Sequence, residues 1–238
     1  MTTVAKRSTE LTERTETNGS VSSVPSVDRK GSRRWDLVTL DLDGTLIPND
    51  TVFAAVLRDQ GRAADVAASD ARYESGSMTL EACFREQWAW IQPLALADIH
   101  RGLRKATWLP GIADGVARLK SLGIRVALLT DQPSTFTDFL GRWGLTDAIC
   151  SPVKVKDGKQ VAVDARFDKL ANLRGRLGEW GIAESRVCHV GNGVNDIPVF
   201  RAVGGSVAVF GNSQVKAAAR QHVAAPKDLG ELVDAVLR

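Results

Sequence analysis

Residues 36–46 read DLVTLDLDGTL, and this stretch decides the fold. Its first part is an apolar run of four residues between two aspartates, which is typical of a buried parallel strand. The carboxylates of Asp41 and Asp43 follow the run, and Gly44 permits a tight turn after them. In this arrangement one carboxylate can attack a substrate while the other moves protons. Asp-x-Asp alone is a weak signal, because aspartate is common at strand ends and turns.

Apolar runs and helical patterns alternate through the remainder of the chain. Strands are predicted at 37–40, 125–130, 186–190 and 206–210, and helices at 169–180, 196–203, 213–220 and 228–237. A further helix is predicted just before Gly123, with an apolar face formed by Ile112, Val116, Leu119 and Leu122. This alternation predicts an α/β fold, a three-layer Rossmann-like arrangement around a parallel sheet. A hairpin is predicted at 153–163, centred on Asp157-Gly158.

The chain is predicted to have three parts. Residues 51–106 lack a convincing strand but show helical spacing of apolar residues, which predicts a small helical cap inserted after the first strand. Residues 35–50 and 107–238 then form the catalytic core. Residues 1–34 are rich in Ser, Thr and charged residues, with too little apolar area to offset the entropy of ordering, and are predicted to be a flexible polar tail.

Charge and cysteine content narrow the class of protein. The net charge of +3 is located in 1–34, which holds seven Lys and Arg against four acidic residues, and the rest of the chain is neutral. A neutral core gives no indication of nucleic-acid binding. Three cysteines at irregular spacing suit neither a disulfide framework nor a zinc site, so we expect a reducing, cytoplasmic location. No apolar run approaches the roughly 18–20 residues that span a bilayer, so no membrane insertion is expected. The oligomeric state is left open.

Chemistry-bearing side chains follow or open three more of the predicted elements. Thr130 ends the second core strand, and the backbone N–H groups of Asp131 and Gln132 beside it can hold phosphoryl oxygens. Lys169 opens a helix, where its ammonium can offset developing negative charge. Residues 191–196 read GNGVND, a glycine-rich loop with the oxygen-bearing side chains that suit Mg²⁺. Because ligands bind beyond the carboxyl ends of the strands in such a sheet, these groups are expected to meet there.

In this order and at these separations, the four segments resemble the four motifs of the haloacid dehalogenase superfamily. Asp41–Leu46 resembles the first motif, Thr130 the second, Lys169 the third and 191–196 the fourth. The resemblance covers 35–238 and is closest to the phosphoserine phosphatase branch, in which a helical cap follows the first motif and a hairpin precedes the lysine. It implies a Rossmann-like core with a small helical cap of the C1 type.

The resemblance also implies a chemistry. A phosphoric monoester hydrolase of this kind acts on a small phosphate ester, with Mg²⁺ as cofactor. Asp41 would attack phosphorus and form an aspartyl phosphate, and Asp43 would protonate the leaving alkoxide and then activate water. The residues implied to hold the metal are Asp41, Asp43 through its backbone carbonyl, and Asp196, and those implied to hold the phosphoryl group are Thr130, Asp131 and Lys169. Because dehalogenase branches generally lack the second aspartate, Asp43 argues against halide displacement.

The sequence departs from the family pattern at two places. Asn192 stands where the fourth motif usually has aspartate; its amide oxygen can still bind Mg²⁺, with one formal negative charge fewer. In the cap, Asp50 and Gln87 stand where phosphoserine phosphatases bind the ammonium and the carboxylate of the substrate, and an amide cannot form a bidentate ion pair with a carboxylate. Phosphoserine is therefore predicted to be a poor substrate. Trp88 either lines the substrate entrance or belongs to the cap's own core.

Two alternatives to a phosphatase stay open at this point. Asn192 leaves room for a catalytically impaired binding or regulatory domain of the same fold. A phosphotransferase or phosphomutase on the same scaffold would pass the phosphoryl group to an acceptor other than water. The three histidines, His189 among them, have no partners at ligand spacing and are interpreted as surface or core residues.

Overall fold

The computed structural model describes residues 34–238. The tail predicted at 1–34 lies outside these residues except for Arg34, whose guanidinium lies over the Trp35 ring, 4.7 Å from its centroid. Trp35 is buried, and its indole N–H donates to the Val236 carbonyl at 2.7 Å, which ties the start of the core to the last helix. Within the described range, no helix is long and apolar enough to cross a membrane.

Six parallel strands form the central sheet, which confirms the predicted α/β class. From one edge to the other, the strands are β3 (Asp147–Ser151), β2 (Arg125–Pro133), β1 (Leu37–Leu40), β6 (Val187–Gly191), β7 (Gly205–Val209) and β8 (Gln221–Val223). Separately, β4 (Val153–Lys156) and β5 (Lys159–Val163) form the predicted hairpin. Asp157 and Gly158 in its turn both have positive φ, 50° and 71°, as a two-residue hairpin turn requires.

The described part of the chain contains ten helices, nine of them between strands and the last after β8. They are α1 (Val52–Leu57), α2 (Ala63–Glu74), α3 (Leu80–Ile91), α4 (Leu96–Lys105), α5 (Ile112–Ser121), α6 (Ser134–Thr137), α7 (Lys169–Trp180), α8 (Ile197–Ala202), α9 (Ser213–Ala218) and α10 (Leu229–Leu237). Several begin after a side chain that accepts a hydrogen bond from the helix backbone: Thr51 caps α1, Thr79 caps α3 and Asp168 caps α7. The last of these caps fixes the start of the helix whose first residue is Lys169.

Apolar side chains fill both faces of the sheet. On one face, Leu37 of β1 packs in a cluster with Leu173 and Leu177 of α7. On the other, Val38 and Leu40 belong to a larger cluster that includes residues of α5 and α10 and extends into the helices between β1 and β2. Because successive strand residues point to opposite faces, β1 requires helices on both sides, and three layers result.

The helices α1 to α4 occupy the segment predicted to form the cap, and they are called the cap below. The hairpin β4–β5 contacts both this cap and the core. Gln160 of β5, 3% exposed, accepts a hydrogen bond from the Thr135 hydroxyl at 2.6 Å and donates one to the Ile91 carbonyl at 3.2 Å. The Leu96 N–H donates to the Gly158 carbonyl at 3.1 Å. The hairpin therefore bridges the end of α3 and the start of α6.

Three details of the structure differ from the sequence-based predictions. Leu122, assigned to the buried face of α5, lies beyond the end of that helix and is 48% exposed, because the chain turns at Gly123. The strands β3 and β8 were not predicted; both lie at sheet edges, where a strand needs few apolar residues and gives a weak pattern. The helix α8 begins at Ile197, one residue later than predicted, after a 3₁₀ turn over Val194–Asp196.

Candidate active site

The strands β1, β2 and β6 lie side by side, so their carboxyl ends meet at one edge of the sheet. A cavity of about 680 Å³ lies between this edge and the cap. The predicted residues that line it from the sheet side are Asp41, Asp43, Thr130, Lys169 and Asn192, together with Asp131. Residues that are far apart in the sequence therefore share one space, in agreement with the strand-end rule.

Lys169 connects two buried carboxylates. Its Nζ lies 2.6 Å from Asp41 Oδ1 and 2.7 Å from Asp196 Oδ1, and all three residues are almost completely buried. Removing such charges from water is costly, and the structure tolerates them only because each is paired and hydrogen-bonded. One ammonium therefore balances two carboxylates in a region that water barely reaches.

Asp196 has both carboxylate oxygens occupied. Its Oδ1 accepts from Lys169, and its Oδ2 accepts from the backbone N–H groups of Asn192 and Gly193 at 3.0 and 2.9 Å. The residue has no exposed surface. These contacts place Asp196 behind Lys169 and under the glycine-rich loop, and the metal contact predicted for it stays a prediction.

His189 completes the set of groups around Asp196. Its Nε2 lies 3.1 Å from Asp196 Oδ1, and its Nδ1 lies 2.9 Å from the Thr39 hydroxyl. A carboxylate only accepts, so Nε2 donates; in the neutral ring Nδ1 then accepts from Thr39. His189 is fully buried, so it is the satisfied core histidine that the sequence allowed, and it also orients a site residue.

The three charges of Asp41, Lys169 and Asp196 set one another's protonation states. Burial raises the pKa of Asp41, Lys169 lowers it, and the Asp196 charge raises it again. Burial also acts to raise the pKa of Asp196, but Lys169 and His189 together hold that pKa below its ordinary value. Burial acts to lower the pKa of Lys169, yet the two carboxylates hold it above its ordinary value. Lys169 and Asp196 are therefore a charged pair, whereas burial and the Asp196 charge raise the pKa of Asp41 despite its contact with Lys169.

Asp43 has a different environment from Asp41, although only one residue separates them. Its Oδ1 accepts from the Val52 N–H at 2.7 Å, at the start of α1, and its Oδ2 accepts from the Gln132 side-chain amide. Burial raises the pKa of Asp43 to about 7, even though both hydrogen bonds lower it. A carboxyl with a pKa near neutrality can both give and take a proton at physiological pH.

Thr130 and the two residues after it form a polar part of the wall. The Gln132 N–H, predicted to hold a phosphoryl oxygen, donates to Thr130 Oγ1 at 3.3 Å. Asp131 Oδ2 accepts from Asn195 Nδ2 at 2.7 Å. Among the described residues, two buried side-chain atoms lack any hydrogen-bond partner, Asp131 Oδ1 and Gln132 Oε1, and both residues line the cavity. Buried polar groups are nearly always paired, so these acceptors indicate that a ligand or water completes the wall.

Two side-chain oxygens that suit Mg²⁺, Asp41 Oδ2 and Asn192 Oδ1, lie near the Thr45 hydroxyl. The Thr45 hydroxyl is 3.5 Å from Asp41 Oδ2 and 3.3 Å from Asn192 Oδ1, so these two oxygens share one neighbour. Gly44, with φ +70°, allows the Asn192 side chain to lie this close to the turn after β1, because a Cβ at position 44 would collide with the Asn192 amide. Carboxylate, amide and carbonyl oxygens, the last from Asp43, are the donors that Mg²⁺ takes alongside water. These donors fit the metal, although the described residues contain no group of three His, Cys, Asp or Glu ligands.

The cap side of the cavity holds two of the three predicted cap residues. Asp50 Oδ2 accepts from Arg58 at 2.7 Å, so a cap arginine already pairs with it. Gln87, 3% exposed, donates from Nε2 to Asp70 Oδ1 at 2.6 Å. Trp88 does not line this cavity; it packs in the apolar core and borders a separate groove beside the hairpin. The interpretation of Trp88 as a residue of the cap's own core is therefore the one that its contacts favour.

Comparison with known proteins places the chain in a family. The sequence model of the family described as haloacid dehalogenase-like hydrolase matches residues 38–201. The chain belongs to this family. It is 25% identical over 183 residues to a phosphoserine phosphatase of Methanocaldococcus jannaschii, covering 74% of this chain and 86% of the relative. It is 28% identical over 194 residues to a phosphoserine phosphatase of Albidiferax ferrireducens, covering 76% and 81%.

The solved structures agree on the fold of this haloacid dehalogenase-like hydrolase. A phospho-aspartyl intermediate analogue of phosphoserine phosphatase matches with a TM-score of 0.72 and 22% identity, covering 85% of this chain and 99% of the other. A haloacid dehalogenase family hydrolase from Salmonella enterica serovar Typhi matches with a TM-score of 0.70 and 18% identity, covering 79% and 67%. The predicted resemblance to the phosphoserine phosphatase-like branch is confirmed, and the protein is an enzyme of the phosphatase kind.

Four side chains near the site were not predicted to act there: those of His189, Thr39, Gln132 and Asp70. His189 and Thr39 face each other on neighbouring strands of the sheet. Two polar residues within apolar core strands could have suggested this contact, but only if the register of the two strands were already known. The side chains of Gln132 and Asp70 gave no such signal. An aspartate in the middle of a polar helix such as α2 has the pattern of a solvent-exposed residue.

Proposed function

We propose that this phosphatase is a Mg²⁺-dependent phosphomonoesterase that acts on a small phosphorylated metabolite through an aspartyl phosphate on Asp41. The observation that carries the proposal is the pairing of Asp41 with the buried ammonium of Lys169, in a cavity that also holds Asp43. Phosphoryl transfer through a carboxylate needs a nucleophile, fixed positive charge and a separate acid–base group. The three residues supply these three functions.

The reaction proceeds in two steps. First, a carboxylate oxygen of Asp41 attacks phosphorus in line; the new O–P bond forms, the ester P–O bond breaks, and Asp43 gives its proton to the departing alkoxide. Then Asp43 takes a proton from water, whose oxygen attacks the same phosphorus, and the bond to Asp41 breaks to release inorganic phosphate. The hydrogen bonds from Val52 and Gln132 hold the Asp43 carboxyl in place during both steps.

Positive charge and hydrogen-bond donors stabilise the phosphoryl oxygens. Lys169 and the Thr130 hydroxyl act on the charge that spreads over these oxygens in the transition state. Asp196 and His189 do not touch the substrate; they fix the ammonium and the glycine-rich loop in position. A fixed ammonium needs no reorganisation when negative charge develops on the phosphoryl oxygens. The stabilisation of the transition state then offsets the free energy spent on removing the buried cluster from water.

Three oxygen donors would hold the metal: the Asp41 carboxylate, the Asp43 carbonyl and the Asn192 amide. When bound, Mg²⁺ supplies further positive charge next to the phosphoryl oxygens. Because the amide of Asn192 carries no formal charge, we expect weaker metal binding than aspartate would give at this position. The Thr45 hydroxyl, near both side-chain oxygens, keeps the two donors together.

Phosphoserine fits the cap side of this cavity poorly. Its carboxylate would need a basic partner, and among the described residues that line the cavity Lys169 is the one Lys or Arg. The Lys169 ammonium is already shared between two carboxylates. We therefore expect a kcat/KM for phosphoserine well below that of the best ester in a panel, and a comparable value would contradict this part of the proposal.

Release of phosphate from p-nitrophenyl phosphate, with Mg²⁺ or with EDTA, tests the proposed chemistry. Wild type should show metal-dependent turnover, and Asp41→Asn should lose it. Asp65→Asn is the matched control, because Asp65 is an exposed aspartate of α2 that pairs with Arg62 outside the cavity. Turnover that persists in Asp41→Asn would refute the nucleophile.

A second candidate function is a catalytically impaired binding domain, which Asn192 in the fourth motif suggests. This hypothesis can be tested separately. The hypothesis of an impaired domain predicts that wild type turns over no ester at any Mg²⁺ concentration. If activity then appears in Asn192→Asp, the defect lies in the metal site. A phosphotransferase would instead transfer phosphate to an added alcohol in preference to water, which product analysis separates from free phosphate.

A further inference from the structure

The cap side of the cavity carries a hydrogen-bonded pair that the proposed reaction does not use. Asp70 of α2 and Gln87 of α3 both line the cavity, and Gln87 Nε2 donates to Asp70 Oδ1 at 2.6 Å. Gln87 also lies close to the Cys83 thiol, with Nε2 3.3 Å from Sγ. These contacts fix the amide on the inner surface of the cap, where a substrate's leaving group would lie.

Two acceptor atoms of this pair stay open. Gln87 is only 3% exposed, yet its Oε1 accepts no hydrogen bond from any residue that the structure describes. Asp70 Oδ2 likewise has no partner in the described range, and no Lys or Arg there forms an ion pair with Asp70. Because Gln87 lines the cavity, its open Oε1 can accept a hydrogen bond from a donor on a ligand that occupies the cavity.

The charges around Asp70 and Gln87 determine which charge the donor group of the ligand should carry. Burial raises the pKa of Asp70, the Gln87 hydrogen bond lowers it, and the neighbouring charges of Glu74 and Asp50 raise it. The cavity offers no free basic side chain among its described lining residues, since the Lys169 ammonium is held by two carboxylates. A cation on the ligand would therefore be attracted, and a carboxylate would meet like charge without a partner.

We propose that Asp70 and Gln87 form the subsite for the leaving group, and that the leaving group is an alcohol that carries a protonated amine and no carboxylate. This inference rests on the proposed phosphomonoesterase function. The ammonium donates to Asp70 Oδ2 and Gln87 Oε1, while Phe53, Leu80 and Phe84 on the same wall contact the carbon skeleton. Asp70 and Gln87 are thus specificity residues, and neither takes part in the two proposed bond-making steps.

Three esters of similar size separate the charge effects: 2-aminoethyl phosphate, ethyl phosphate and phosphoglycolate. A hydrogen bond to a charged group predicts a kcat/KM for the amine ester about 10- to 150-fold above that for ethyl phosphate, with phosphoglycolate lowest. In Asp70→Asn, the ratio of the amine ester to ethyl phosphate should fall to within about threefold, since a neutral amide loses the charge-assisted part of the bond. Asp65→Asn, on the same helix but outside the cavity, should keep the wild-type ratio.

The two proposals fail in different ways. If p-nitrophenyl phosphate is hydrolysed but the amine ester has no advantage, or if Asp70→Asn keeps the advantage, the subsite is refuted and the phosphatase stands. If no ester is hydrolysed, calorimetric titration decides the subsite: tighter binding of 2-aminoethyl phosphate than of phosphoglycolate, lost in Asp70→Asn, supports it. Equal affinity for the two esters, or no binding of either, overturns it.

Discussion

Replacing Lys169 by methionine should strongly destabilise the metal-free protein. The Lys169 ammonium lies within 2.7 Å of carboxylate oxygens of both Asp41 and Asp196. The lysine side chain is only 2% exposed. Methionine has a similar length and fills much of the same space, so the main change is the loss of charge. Two buried carboxylates would then face each other without a counter-charge.

The size of the effect follows from the burial of the cluster. Removing one partner of a buried ion pair costs about 3–5 kcal/mol, because the remaining charge is left unpaired. For a domain of this size each kcal/mol shifts Tm by about 2–4 °C, so Tm should fall by about 6–20 °C. Adding Asp41→Asn to the variant removes one of the two unpaired charges, so the double variant should be more stable than Lys169→Met alone.

Thermal unfolding in EDTA, followed by circular dichroism, measures these differences. Lys105→Met is the matched control: Lys105 also pairs with an aspartate, Asp59, at 2.6 Å, but on the exposed surface. Exposed pairs contribute about 0–1 kcal/mol, so this control should barely change Tm. A Lys169→Met protein as stable as the control, or a double variant less stable than the single one, would refute the reasoning about the buried cluster.

Three other predictions concern the metal and proton transfer. His189→Leu should raise the Mg²⁺ concentration for half-maximal activity by about 10–100-fold, because Asp196 and the loop that it holds lose their orientation; an unchanged Mg²⁺ titration would count against this. Asn192→Asp should lower that concentration, since it restores a formal charge beside Asp41, and a higher requirement would contradict the metal assignment. The pKa of Asp43, about 7, predicts that kcat for an alkyl phosphate falls as pH rises through neutrality, because the carboxyl loses the proton that the alkoxide needs. The pH profile for p-nitrophenyl phosphate should fall less, since its leaving group needs no proton, and identical profiles would argue against Asp43 as the acid.

The fold, and most of the residues that meet at the candidate site, could be predicted from local pattern. The buried strand before Asp41, the helix that opens with Lys169 and the GNGVND loop each have a short sequence signal, and the strand-end rule brings them together. The hairpin was equally readable, because Asp157-Gly158 supplies the positive φ that its turn requires. Leu122 shows the limit of helical periodicity, which predicts a face but not the residue at which the helix ends.

The supporting contacts could not be predicted, because each depends on the packing of distant segments. Asp196 was predicted from its side chain as a metal ligand, and the sequence did not show the four donors that surround its carboxylate in the structure. Gln132 belongs to a strand end that was read for its backbone, whereas its side chain reaches Asp43. Asp70 becomes a cavity residue only because α2 and α3 pack with Gln87 against it. Sequence patterns describe which residues share a face, and the partner of that face comes from the tertiary structure.

The most direct test of the account is to trap the phosphorylated protein. Wild type would be mixed with a radiolabelled phosphate ester and Mg²⁺, quenched in acid and digested for peptide mapping. An aspartyl phosphate on Asp41 predicts an acid-stable, base- and hydroxylamine-labile label on the peptide that contains Asp41, and no label in Asp41→Asn. Phosphate release by wild type with no trapped label on that peptide, together with turnover in Asp41→Asn, would contradict it.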